Sequence, residues 1–204
     1  MKKLLLIAAL AVLVSGCAMK KATIDSFVEP MYQQGTLKSV AIFPVQNAAV
    51  APQQAMAINA KIVSAMQRKS PGIGLVSPAE SARKINDAGA AEHWSRFLED
   101  FVTSGLVNKK YLNELANALG TDAVMQGYIG QIAQKDGMQF GDGVGVTSVS
   151  ISYALIDLRN AKVVWQAHTT GRSQTGSFGF HVAPEVSEAM GIALDKLIEN
   201  MPAL

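Results

Sequence analysis

The chain has 204 residues, one cysteine and a formal net charge of +2, from 18 Lys+Arg against 16 Asp+Glu. Its length suffices for one domain with a full hydrophobic core, and a lone cysteine excludes an intrachain disulfide. Both excess positive charges are Lys2 and Lys3, so from residue 17 onward acidic and basic residues balance. That balance excludes the basic surface on which electrostatic binding of nucleic acid depends.

The amino terminus comes first. Met1-Lys2-Lys3 is a short positive region, and Leu4 to Val14 is an apolar run. The run is far shorter than the ~20 residues a helix needs to span a bilayer. It has the length of a signal-peptide core. Val14, Ser15, Gly16 and Cys17 follow in the order aliphatic, small, small, cysteine. This resembles the lipobox of bacterial lipoproteins. The resemblance implies a signal peptide over 1–16, cleavage before Cys17, a diacylglyceryl group on its thiol and an acylated new amino terminus. Each buried CH₂ contributes about 0.8 kcal/mol, so several acyl chains anchor the protein permanently. Position 18 is Ala rather than Asp. By the same resemblance this implies the inner leaflet of the outer membrane, with the protein facing the periplasm.

Residues 17–36 read as the lipidated cysteine and a tether, with scattered apolar residues and Pro30. Residues 37–204 read as a single domain. Leu37 to Val45 reads as a strand, apolar on both faces through Val40-Ala41-Ile42-Phe43. Gln53 to Lys69 reads as a helix with Met56, Ile62, Val63 and Met66 near helical spacing, stopped by Ser70-Pro71-Gly72. Ile73 to Val76 is a short strand. Ser77, Pro78 and Glu80 form a helix-start signature, and that helix runs to about Asp87.

Residues 91–106 carry Trp94, Phe97, Leu98 and Phe101 on one stripe of a helix. Asn108 caps a further helix with Tyr111, Leu112, Leu115 and Leu119 inward, ended by Gly120. One long broken helix over 91–120 is the alternative. Asp122 to Ala133 and Val144 to Leu158 read as strands. In the second, Val149, Ile151, Tyr153 and Leu155 alternate with Ser148, Ser150 and Ser152, as in a half-buried antiparallel strand. Val163 to about Arg172 is its hairpin partner. Gly171 to Gly179 reads as a polar loop, and Ala183 to Glu199 as a closing helix. The order β-α-β-α-α-α-β-β-β-α gives an α/β class, with α+β as its neighbour. It implies a mixed sheet packed with helices, and a carboxy-terminal antiparallel meander.

Several stretches together resemble a known group. They are Val40-Ala41-Ile42-Phe43-Pro44, Gly74-Leu75-Val76-Ser77-Pro78, Leu119-Gly120-Thr121-Asp122 through Gly127, and the hairpin Tyr153 to Asp157 through Val163-Val164-Trp165-Gln166. They resemble periplasmic lipoproteins related to the amino-terminal domain of TolB, the curli secretion lipoprotein and the lipoprotein activators of penicillin-binding proteins. The resemblance implies an anticodon-binding-domain-like three-layer fold. It also implies a non-enzymatic role in envelope assembly or regulation, through an envelope protein partner or a homo-oligomer. An outer-membrane secretion-channel subunit and an envelope enzyme are the alternatives. A channel needs long amphipathic hairpins, and the loops 134–148 and 171–182 supply no clear pair.

The residues themselves suggest attachment and contact rather than catalysis. His93, His168 and His181 are far apart and belong to no metal-ligand spacing, so no metal or cofactor is expected. Ser81-Ala82-Arg83-Lys84 matches S-x-x-K, but the supporting elements of that chemistry are absent. Gly141 to Gly145 is no phosphate cradle, since a strand rather than a helix follows it. Its loop, with Lys135, Asp136 and Asp142, is a candidate protein contact. The stripe Trp94, Phe97 and Phe101 has two readings, core packing or a protein-binding face.

Overall fold

The computed structural model describes residues 19–46, 50–137, 143–175 and 182–204. Cys17, Asp142 and His181 lie outside the described residues. In chain order the elements are β1 (Met19–Val28), β2 (Ser39–Ile42), α1 (Pro52–Lys69), β3 (Gly74–Val76), α2 (Pro78–Asp87) and α3 (Ala91–Ser104). Then come α4 (Lys109–Leu119), β4 (Ala123–Lys135), β5 (Val146–Asp157), β6 (Lys162–Gln174) and α5 (Val186–Asn200). The strands form one six-stranded sheet in the order β1-β6-β5-β4-β2-β3. β2 runs parallel to β3 and β4, and the remaining pairs are antiparallel. The class is α/β with a mixed sheet, as the element order implies.

Two expectations change. Residues 19–28, read as tether, are a strand that pairs with β6 from Met19↔Gln174 to Val28↔Trp165. The scattered apolar residues are one side of a period-2 pattern, and Ile24 packs against the core. The partner lies at the far end of the chain, so no local signal announces it. Residues 171–174, read as loop, continue β6 for the same reason, because they pair with β1 and β5. The stretch 91–120 is the two helices of the first reading and not the single broken helix of the alternative, with Gly105 in the left-handed region after α3.

Alternation along the strands sorts side chains into two cores. Val40, Ile42, Ala123, Met125, Tyr153, Leu155, Trp165 and Ala167 face one way and meet α1 and α5. Ala41, Phe43, Val124, Ala154 and Ile156 face the other way and meet α2, α3 and α4. The result is three layers, helices on both faces of the sheet. Helix starts follow the local chemistry. The Ser77 hydroxyl accepts from the Glu80 amide at 3.3 Å, and the Asn108 side chain accepts from the Lys110 amide at 3.0 Å.

The residues of the sequence resemblance serve as joints. The Asp122 carboxylate accepts from the Lys38 and Ser39 amides at 2.7 and 3.1 Å, which ties the start of β2 to that of β4. Asp157 accepts from the amides of Arg159 and Asn160 at 2.8 and 3.2 Å, which sets the β5–β6 turn. Gly127 leaves room for the Tyr153 ring, which a Cβ there would overlap. Burial pushes the Tyr153 phenol well above its ordinary value.

The tightest approach is between β6 and α5. A Cβ on Gly171 would overlap the Ala189 carbonyl oxygen and the Ala193 amide nitrogen, both backbone atoms of α5. Backbone cannot swing aside as a side-chain tip does. Gly171→Ala is therefore expected to lower unfolding free energy by about 2–3 kcal/mol, the upper part of the range for overpacking. Urea denaturation checks this. A change below about 0.5 kcal/mol would show that α5 docks otherwise.

β1 is also pinned to α5 by Lys20 and Glu188, 2.8 Å apart. The Lys20 ammonium, hydrogen-bonded to Glu188, holds that carboxyl below its ordinary value of 4.5. A depressed carboxyl stabilises the fold above its unfolded value, and the contribution is lost as pH falls through the folded one. The melting temperatures of wild type and Lys20→Met should differ slightly and constantly above that value, and converge in more acidic solution. A gap that widens on acidification would contradict the pairing.

Candidate contact surface on the open sheet face

The helices α2–α4 cover only part of their face of the sheet. Beyond them, β4, β5, β6 and β1 present rows of side chains fixed by the strand register. One row is Gln126, Ala154, Gln166 and Phe27, and the next is Tyr128, Ser152, His168 and Asp25. Farther out lie Ser150, Thr170 and Thr23, then Ala133, Ser148, Arg172 and Lys21. The serine phase of β5 thus faces an uncovered surface, as its alternation implies. Phe27 and Tyr128 stand on it 48% and 37% exposed.

Where α3 ends against this face, a cavity of about 240 Å³ opens between Phe101 and Val102 of the helix and Gln126, Tyr128, Ser152 and Gln166 of the strands. Its walls are aromatic and aliphatic, and its polar groups are neutral. Gln126 is buried at 3% exposure. Its amide nitrogen donates to the Gly127 carbonyl at 2.6 Å, which leaves the amide oxygen without a partner. A buried acceptor left unpaired costs about 1–3 kcal/mol, which the surrounding packing offsets.

In the row beside it, the Ser152 hydroxyl and His168 Nδ1 are 2.8 Å apart, and Asp25 is opposite His168 on β1. Serine, histidine and aspartate therefore stand in a line. The line is not a nucleophilic triad. Among the described residues Asp25 makes no hydrogen bond to the imidazole, which uses Nδ1 for the serine instead of a carboxylate. The neighbouring amides are committed to the strand ladders and form no oxyanion hole.

The residues suggested by sequence divide between core and surface. Phe97 is fully buried, 6.5 Å from Phe43 and stacked on Phe101 at 5.8 Å. It offers no contact surface, because its position on α3 points at the sheet. Trp94 meets Phe43 edge-on at 5.5 Å and is half-buried. Phe101 is half-buried and also walls the cavity. Lys135 is exposed at the end of β4. Asp136 accepts from the Ala183 amide at 2.7 Å and holds the start of the β4–β5 loop to the approach of α5. The S-x-x-K match dissolves into structure: Ser81 is buried, and the Lys84 ammonium donates to the Leu119 carbonyl at 2.8 Å. Among the described residues no group of histidine, cysteine and carboxylates is placed to hold a metal. No described helix is long and apolar enough to cross a membrane.

A larger cleft, about 800 Å³, lies at the opposite end of the sheet among Glu29, Tyr32, Lys38, Asp157 and Arg159. Asp157 spends both oxygens on its own turn, the second on the Asn160 side-chain amide at 2.8 Å. The cleft is built around a joint. Gln126, Tyr128 and Gln166 are not among the contact residues the sequence suggests. The available signal was a glutamine inside the apolar run Ala123-Val124-Met125, where a buried strand carries no polar residue without cause.

Comparison with solved structures places the fold. A PelC dodecamer from Paraburkholderia phytofirmans is similar at TM-score 0.50 and 18% identity, over 90% of this chain and 99% of that one. Lipoprotein GNA1162 from Neisseria meningitidis gives TM-score 0.42 and 18% identity over 80% and 99%. The LpoB carboxy-terminal domain from Salmonella enterica gives TM-score 0.38 and 11% identity over 72% and 87%. At these identities the likeness is one of fold. No family model and no curated protein matches the chain.

The placement of the aromatics generates a contrast. Phe97→Ala should cost about 3–5 kcal/mol, as for a fully buried aromatic. Tyr128→Ala, on the open face, should cost under about 1 kcal/mol. Thermal or urea unfolding of the two variants checks the order, and equal losses would refute it.

Proposed function

We propose that the protein is a periplasmic lipoprotein, held by acylated Cys17 in the inner leaflet of the outer membrane, that acts without catalysis by binding another envelope protein. The observation that carries this reading is the cavity on the open sheet face, walled by Phe101, Val102 and Tyr128 and lined with the neutral polar side chains of Gln126, Ser152 and Gln166. Apolar walls with a few fixed polar groups suit one anchoring side chain that carries a donor. Around it, Ser152, Gln166, His168 and Asp25 supply a polar rim, and Phe27, Phe101 and Tyr128 supply aromatic area. That is the make-up of a protein contact, aromatic at its centre and polar at its edge. Trp94 is linked to the wall residue Phe101 through Phe43 and Phe97.

Self-assembly is a second form of the same reading. It is favoured by the shared fold with PelC, whose structure is a dodecamer. In that form the partner is another copy of the chain, as in a ring-shaped subunit of a secretion apparatus.

Ser152→Arg sets a long charged side chain over the cavity without touching either core. In cells, chemical crosslinking should then lose its protein adducts while the melting temperature stays within a few degrees. Met56→Arg, on an exposed position of α1 (69% exposed), should keep them. Native mass spectrometry of the extracted protein separates the two forms: a multiple of the chain mass that Ser152→Arg reduces to monomer favours self-assembly. Adducts that survive Ser152→Arg would overturn the reading. Cys17→Ala should release the protein from the membrane fraction, and retention there would refute the anchor.

A further inference from the structure

The anchor and the sheet are closer together than a tethered domain allows. Met19 is the first residue of β1, so one residue separates it from Cys17. Two residues of extended chain reach about 7 Å. The end of the sheet that carries Met19, with Gln174, Val146 and Lys135 in the same row, therefore lies against whatever surface holds Cys17. That end exposes Met19 (57%) and Val182 (72%), and Val182 is packed against Gly145 at the base of β5.

One row inward, Lys21 of β1 stands directly across from Arg172 of β6. Like charges opposite each other on a sheet repel. Lys135 and Arg172 line a shared cleft of about 640 Å³ with Ser148, Thr170 and Gln134. The acidic residue of that cleft, Asp136, is bonded to the Ala183 amide. Among the described residues, Lys21, Lys135 and Arg172 make no ion pair. The nearest paired lysine, Lys20, points to the other face and Glu188.

We propose that Lys21, Arg172 and Lys135 bind the anionic phospholipid headgroups of the leaflet that holds the anchor, and so fix the domain's orientation on the membrane. This rests on the reading that Cys17 is acylated. The argument is one of distance and charge. The headgroup layer is roughly 5–8 Å deep on each side of a bilayer. Lys135 shares Met19's row, and Lys21 and Arg172 stand two strand residues, about 7 Å, beyond it, so with Cys17 at the layer's base Lys135 lies within that layer and the long side chains of Lys21 and Arg172 reach its outer edge. Exposed apolar tips at the rim with cations just behind them match the order of environments across an interface. A phosphate between Lys21 and Arg172 also turns their repulsion into a shared attraction. The four-strand rim then rests along the bilayer, and the open face above it stands roughly upright, available to a partner beside the protein.

The test uses the purified full chain, with the mass at Cys17 measured first. The protein is placed on vesicles of phosphatidylcholine alone or with one third phosphatidylglycerol, and amide hydrogen exchange is followed in 19–24 and 133–136. Exchange in both segments should slow on the anionic vesicles only. The effect should vanish in half-molar salt and in Lys21→Glu/Arg172→Glu, whose unchanged melting temperature shows that it folds. Equal exchange on both vesicles, or a variant that behaves as wild type, overturns the proposal. If the mass shows no acyl chain, the anchor reading fails by itself, and flotation decides the docking. The chain should then bind anionic vesicles roughly a hundredfold more tightly than neutral ones, from three cations at about tenfold or less each. Binding to neither overturns it.

Discussion

Strands β4, β5 and β6 have 13, 12 and 13 residues and run roughly 40 Å, whereas α3, the longest helix on one of their faces, has 14 residues and runs about 21 Å. That mismatch of length governs the rest of the molecule. The half of the sheet that includes short β2 and β3 has helices on both faces and behaves as the core. The other half has α5 on one face and, among the described residues, no helix on the other. The open half needs side chains that tolerate water on one face and packing on the other, and the strands supply them strictly in alternation. Ser148, Ser150 and Ser152 look out; Thr147, Val149 and Ile151 look in. Buried Thr169 shows the cost of a polar inward position, and its hydroxyl is met by the Ile151 carbonyl at 3.2 Å.

The same mismatch explains why β1 exists. Without it, β6 would expose an unpaired edge of 13 residues, a template for unwanted pairing. β1 closes that edge from Trp165 to Gln174 and carries three charged residues, Lys20, Lys21 and Asp25, which discourage a further strand from adding. Its cost is the loss of a tether. A domain that begins pairing at Met19 has little freedom to rotate about Cys17, so under the proposed acylation an anchor there would set its orientation as well as its location.

Much of this fold was legible in the sequence because the signals were local. Ser77 with Pro78, Asn108 before α4 and Gly120 after it mark helix ends by hydrogen bonds made within a few residues. The alternation over 148–155 named both the buried and the open side of β5. What stayed hidden depends on distant chain. β1 has its partner about 150 residues away. Gly171 reads as a loop residue until α5 is seen lying on it, and nothing near Gly127 in the sequence announces the Tyr153 ring that covers it. The stripe on α3 gave the correct period but not the depth: Phe97 is core, while Phe101 spans core and cavity. The cavity itself was illegible, since Gln126, Ser152 and Gln166 come from three strands and meet only through register. Cys17 is the opposite case, read wholly from its local context and lying outside the described residues.

The central claim is that the open face meets another protein in the envelope, and it is tested most directly in living cells. A photoreactive amino acid placed at Ser150, in the middle of that face, is compared with one at Gln67, exposed on α1 behind the sheet. On irradiation, Ser150 should give a discrete protein adduct and Gln67 none. An adduct from Gln67 alone, or no adduct from Ser150, would contradict the account.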